Sequence, residues 1–129
     1  MVRPMSGGEL PAGVRSLIAR HISSALDLEV LLALRGDERA WRPDELAREL
    51  RTDPTATEAA LRSLAEALIL AVDGDGFRYR PAAPDTGRAV DELADTYARR
   101  RVRVIEFIYK RPSDRVTTFA DAFKLRRER

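Results

Sequence analysis

Pro43 and Pro54 stand eleven residues apart, and each opens a stripe of apolar residues at helical spacing. Proline suits a first helical position, because the N–H it lacks would have no partner there. Asp44 and Glu45 follow Pro43 in what would be the first turn, where carboxylates complement the helix dipole. Leu46, Ala47 and Leu50 then give a short helix its buried side. Thr52-Asp53-Pro54 repeats the start signal, with Asp53 as N-cap. The second helix is predicted from about residue 54 to 68, burying Ala60, Leu61, Leu64 and Leu68. Two helices separated by two or three residues, each with its own proline start, cannot run on collinearly and must cross steeply.

Beyond the second helix, residues 69–72 and 77–80 read as short strands around Asp73-Gly74-Asp75-Gly76, which supplies the positive φ of a tight hairpin. Phe77 and Tyr79 fall on one face of the hairpin, Arg78 and Arg80 on the other. Upstream, Leu17, Ile18 and Ile22 mark one helix from Val14; Leu26, Val30, Leu31 and Leu34 mark another, capped by Ser23 or Ser24 and ended by Gly36-Asp37. Residues 1–13, with three glycines and two prolines, read as a flexible lead-in. Downstream of a connector marked by Pro81, Pro84 and Gly87, one long helix is predicted over about 86–111. Pro112 stops it, and a short helix follows with Val116, Phe119, Ala120 and Phe123 on one side. The expected fold is mainly α: a winged helix-turn-helix over 14–81 with a two-stranded wing, then a C-terminal helical dimerisation element over 86–129.

Composition narrows the chemistry. Hydrophobic residues make up 44% of the 129, but aromatics only 6%, so Leu, Ala, Val and Ile must fill the core. The absence of cysteine excludes disulfides, zinc ribbons, iron–sulfur clusters and thiol catalysis. A single histidine, His21, has no soft ligand nearby and reads as a packed or solvent-touching side chain. Catalysis needs an activated nucleophile or a tuned acid–base pair; no such cluster is evident, so neither catalytic residues nor a metal or cofactor is expected. No apolar run approaches the roughly 20 residues that span a bilayer, and the N-terminus lacks a signal-peptide core, so a soluble cytoplasmic protein is expected. The net charge of +2 conceals a gradient. Residues 1–70 carry nine arginines against eleven acids, 71–98 three against six, and 99–129 eleven basic residues against four acids.

The stretch DELAREL…DPTATEAALRSLAEALILAVDGDGFRYRP resembles bacterial winged-helix regulators of the multiple-antibiotic-resistance and arsenic-repressor types. The likeness covers about 40 residues, and Ala67 stands where many such proteins have glycine before the wing. The flanking segments HISSALDLEVLLAL and ELADTYARRRVRVIEFIYKRPSDRVTTFADAFKLRRE are similar to an uncharacterised group of bacterial winged-helix proteins. The resemblance implies transcription regulation through double-stranded DNA, with the 54–68 helix as reader. Base contacts would come from Thr55, Thr57, Glu58, Arg62 and Ser63. Phosphate contacts would come from Arg42, Arg48, Arg51, Arg78 and Arg80, or from the basic C-terminal segment. The reading helix is itself poor in cations: Arg62 stands against Glu58 and Glu66.

The long helix has more apolar surface than one small domain needs, and a homodimer seam through Val90, Leu93, Tyr97, Val104, Ile105 and Ile108 is expected. The alternative is that it folds back on Leu17, Ile18 and Ile22 of its own chain. Arg99-Arg100-Arg101 and Arg103 have three readings: DNA backbone, pairing with acids such as Glu92 and Asp95, or an acidic partner. A small-molecule pocket near Trp41, Tyr97 and Phe107 is a further expectation. The acidic residues of the reading helix keep open a second function, a protein-interaction module or regulatory adaptor that does not bind DNA.

Overall fold

The computed structural model describes residues 9–110 of the chain. In chain order the elements are α1 (Ala12–His21), α2 (Ala25–Gly36), α3 (Pro43–Leu50), α4 (Pro54–Glu66), β1 (Leu70–Asp73), β2 (Gly76–Tyr79), α5 (Pro84–Arg99) and α6 (Arg101–Lys110). The protein is thus mainly helical with a small antiparallel hairpin. The expected terminal helix with Val116, Phe119, Ala120 and Phe123, and most of the expected flexible lead-in, lie outside the described residues.

Local chemistry explains most boundaries. Ser24 caps α2: its hydroxyl accepts from Asp27 N at 3.2 Å, and the Asp27 carboxylate accepts from Ser23 N at 2.9 Å and Ser23 Oγ at 2.8 Å. Asp53 caps α4 by accepting from Ala56 N at 2.8 Å. Glu45 in the first turn of α3 accepts from Arg42 N at 3.2 Å. The same carboxylate receives Arg39 at 3.0 Å. That hydrogen bond, with a second from the Arg42 N–H, holds the Glu45 carboxyl below its ordinary range. The Arg39 guanidinium also lies 3.6 Å from the centroid of the Trp41 ring.

Trp41 ties the corner to the hairpin. Its N–H donates to Phe77 O and its carbonyl accepts from Phe77 N, both at 2.8 Å, so the residue acts as a third strand one bridge long. Nothing in the sequence reading anticipated this. Gly76 is needed for it: a Cβ there would sit 2.7 Å from Trp41 O. The hairpin turn is tighter than expected, with Asp73 paired to Gly76 and only Gly74-Asp75 between the strands. Gly74 alone in the turn has positive φ, +66°, the pattern of a two-residue turn with glycine first.

One hydrophobic cluster runs from Leu10 to Ile108 and joins all six helices to the hairpin. α4 packs against α2 and α3, and α1 packs against α5 and α6. Two expectations about the C-terminal half are corrected here. The single helix over 86–111 is two helices, broken at Arg100, whose backbone turns to φ −136° and ψ 54°. The dimer seam is largely internal: Val90, Leu93, Val104 and Ile108 are buried in the chain's own core. The cause is α1, which covers this stripe from the other end of the sequence.

Candidate nucleic-acid interface

α4 is amphipathic in a way that fixes which side it can offer. Thr57, Ala60, Leu61 and Leu64 are buried, holding the helix to α2, α3 and β1. The opposite side, Thr55, Ala59, Arg62, Ser63 and Glu66, is exposed. Thr57 is therefore corrected: it cannot touch a base, because it is fully buried and its hydroxyl donates to Asp53 O at 2.8 Å. The cause is phase, since Thr57 lies one turn before Ala60 and Leu61 on the same stripe. Ala59, passed over in the sequence reading because it has no polar group, sits in the middle of the open side.

The charge of that side is cancelled locally. Arg62 donates to Glu58 Oε2 through Nε at 3.1 Å and through Nη2 at 2.6 Å, a pair one helical turn apart. Glu66 is left without a cation among the described residues, so the open side of α4 is weakly acidic.

The cations expected to reach phosphate differ in how free they are. Arg42 and Arg48 share Asp44, at 3.4 and 3.8 Å. Arg78 is committed within the protein, to Asp73 Oδ2 at 2.9 Å and Glu38 O at 2.6 Å. Arg51 and Arg80 are exposed and have no ion pair among the described residues. Arg51 ends α3 in the left-handed region, φ +57°, and the turn around it is closed by Thr52 N donating to Ala47 O at 3.0 Å. Only one other non-glycine residue described has positive φ: Leu68, at +65°. The two bracket α4.

Leu68 is a further correction. The sequence placed it in the buried stripe, but α4 ends at Glu66 and Leu68 swings outward to 61% exposure. Ile69 takes the inward position, fully buried. Where the resemblance put a glycine-like turn at Ala67, that residue keeps ordinary right-handed geometry and the left-handed step falls one residue later.

The arginine cluster is dispersed by the break at Arg100. Arg99 pairs with Asp95 at 2.8 Å, and Arg103 with Glu106 at 3.6 Å. Arg100 donates to Glu9 O at 3.2 Å, and Arg101 lies 5.1 Å from the centre of the Tyr97 ring. The aromatics expected near a small-molecule pocket are packed: Trp41 is buried with Nε1 donating to Asp37 O at 3.1 Å, and Tyr97 and Phe107 lie partly buried against the core. Among the described residues no group of three or more His, Asp or Glu is placed to hold a metal ion, and no helix is long and apolar enough to cross a membrane.

Compared with known proteins, the chain matches no family model, no curated relative and no solved structure.

Proposed function

We propose that this protein is a winged helix-turn-helix regulator that binds double-stranded DNA as a homodimer. The observation that supports this best is the open side of α4. A helix of 13 residues is about 20 Å long, and side chains as small as Thr55, Ala59 and Ser63 let its backbone approach the floor of a major groove about 12 Å wide. Thr55 and Ser63 bring hydroxyls to base edges or phosphates, and Arg62 reaches guanine once it leaves Glu58. Arg51 before the helix and Arg80 beside the hairpin supply unpaired cations for phosphates, with Arg42 and Arg48 in support. So few free cations imply a shallow salt dependence, with log K falling by about 2–4 per decade of salt per protomer. The dimer contact in this reading uses the apolar surface that α1 leaves uncovered on α6, where Val102 is 69% and Tyr109 60% exposed, with Ile105 beside them.

The charge of α4 favours a second reading, an adaptor that binds protein alone. Glu58 neutralises Arg62 and Glu66 stands free, whereas DNA affinity rests mainly on cations.

Selection from random duplexes with the purified chain, at about 50 mM salt, separates the two. DNA recognition predicts an enriched motif in two half-sites and a loss of binding in Arg51→Ala. If no motif emerges and no duplex binds even at low salt, the regulator reading is wrong and the adaptor stands.

A further inference from the structure

From the end of α4 and the free edge of β1, we infer a docking groove for an extended apolar peptide that carries a carboxylate, supplied by a partner protein. The first observation is Leu68. A left-handed backbone is costly for any residue with a Cβ, and more so for a bulky one. Water contact over most of a leucine side chain adds a second cost. Glycine or asparagine would relieve both at once. The hydrogen bonds from Leu68 N–H to Ala65 O and from Ile69 N–H to Leu64 O, both 3.0 Å, hold this left-handed step at the end of α4, and it presents the Leu68 side chain to whatever enters the groove.

Val72, 68% exposed on β1, lies in the same groove. Ala65, Leu70, Ala71, Pro81 and Ala82 complete the lining of this shallow, solvent-open groove of about 510 Å³.

The second observation is the strand edge. Phe77 turns its N–H and C=O toward Trp41. Its partner Val72 is therefore in a non-hydrogen-bonded pair with it, and the N–H and C=O of Val72 point away from β2. No strand among the described residues lies on that side. An open edge beside apolar side chains is the surface on which a peptide adds as a further strand.

The third is charge. Arg80 is the sole charged residue lining the groove and has no ion pair among the described residues. Strand addition supplies the register, Leu68 and Val72 receive the peptide's apolar side chains, and Arg80 selects a carboxylate at its end or flank. The groove lies at the C-terminal end of α4, away from its capped N-terminus, and the inference does not rest on DNA binding.

Display of randomised heptapeptides against the immobilised full-length chain tests it. Enriched peptides should alternate apolar residues and carry Asp or Glu. Their synthetic versions should shift the amide resonances of Ala71 and Val72. Leu68→Gly should raise the melting midpoint by about 3–6 °C while weakening these peptides at least tenfold. Val72→Pro removes the outward N–H together with the valine side chain and should weaken them at least tenfold, whereas Val72→Ala, which keeps the N–H, should weaken them less, with the hairpin amide resonances retained in both. Arg80→Glu should cost acidic peptides severalfold, and Arg80→Lys should restore them. The inference is overturned if no alternating peptide is enriched, if Leu68→Gly or Val72→Pro binds the peptides unchanged, or if Leu68→Asp halves the mass in solution, which would put a second copy of the chain in the groove.

Discussion

The turn-linked pair α3–α4 and the C-terminal pair α5–α6 are both built from amphipathic helices, yet only the first is laid out by its own sequence. In α3–α4, proline starts, the Asp53 cap and the tight turn at Arg51 decide each boundary within a few residues. The buried stripe meets helices close by in the chain, and the other side stays open. In α5–α6 the same periodicity correctly marks buried residues but says nothing of what buries them. α1, from the opposite end of the described chain, covers Val90, Leu93, Val104 and Ile108. Apolar period thus forecasts burial; the partner that provides it depends on where other elements fall.

The strongest way to break this comparison is to cut into the C-terminal core. Leu93→Ala should cost about 2–5 kcal/mol in urea unfolding, the usual loss for a buried leucine, without changing the mass in solution. Val102→Asp, on the uncovered side of α6, should do the reverse: little loss of stability, but a halved mass by light scattering if the protein is the proposed dimer. A Leu93→Ala variant that dissociates at wild-type stability would return the seam to where the sequence first placed it.

A smaller effect is expected on the α3–α4 side. Asp53→Ala removes the cap of α4 and should cost about 1 kcal/mol, while Asp53→Asn should recover most of it. Because this boundary is local, exchange of the amides in the first turn of α4 should quicken in Asp53→Ala while those of α5 stay protected.

Glu58→Ala sharpens the electrostatic side of the comparison. Removing the carboxylate frees Arg62 and lifts repulsion from phosphate, so duplex affinity should rise by about three- to tenfold at low salt, measured by fluorescence anisotropy. An unchanged or weaker affinity would mean that the open side of α4 is not the DNA surface.

The smallest effect concerns His21, at the end of α1. Partial burial, and then the neighbouring Arg20, lower its pKa from the ordinary 6.5. The folded state binds its proton less readily than the unfolded chain does. The neutral side chain's contribution is therefore complete above about pH 6.5 and is lost as pH falls below that value. Thermal midpoints should decline slightly between pH 7 and 5, and His21→Gln should flatten that slope. An identical slope in the variant would assign the decline to carboxylates.

The outline of the chain was legible because its signals are short-range. Asp53 caps a helix whose first N–H groups are three residues away, and Gly74 meets a turn that two residues define. The candidate site was legible only in part. Thr55, Arg62 and Ser63 lie on the open side as read, but Thr57 is inside, and Ala59 was overlooked because polarity, rather than position, guided the choice. Pairing was hidden as well: a sequence shows that Arg78 is a cation, though not that Asp73 and the Glu38 carbonyl already hold it.

The sequence by itself determined the helices as far as α4, the serine and aspartate caps of α2 and α4, the hairpin and the poverty of cations on α4, since each follows from residue chemistry within one or two turns. Tertiary structure decided the rest. The break at Arg100 has no glycine or proline to announce it, and the Arg100 guanidinium donates to a carbonyl 91 residues away. The Trp41 bridge to Phe77 likewise depends on which surfaces meet. Such contacts join residues far apart in the chain, and no local preference encodes them.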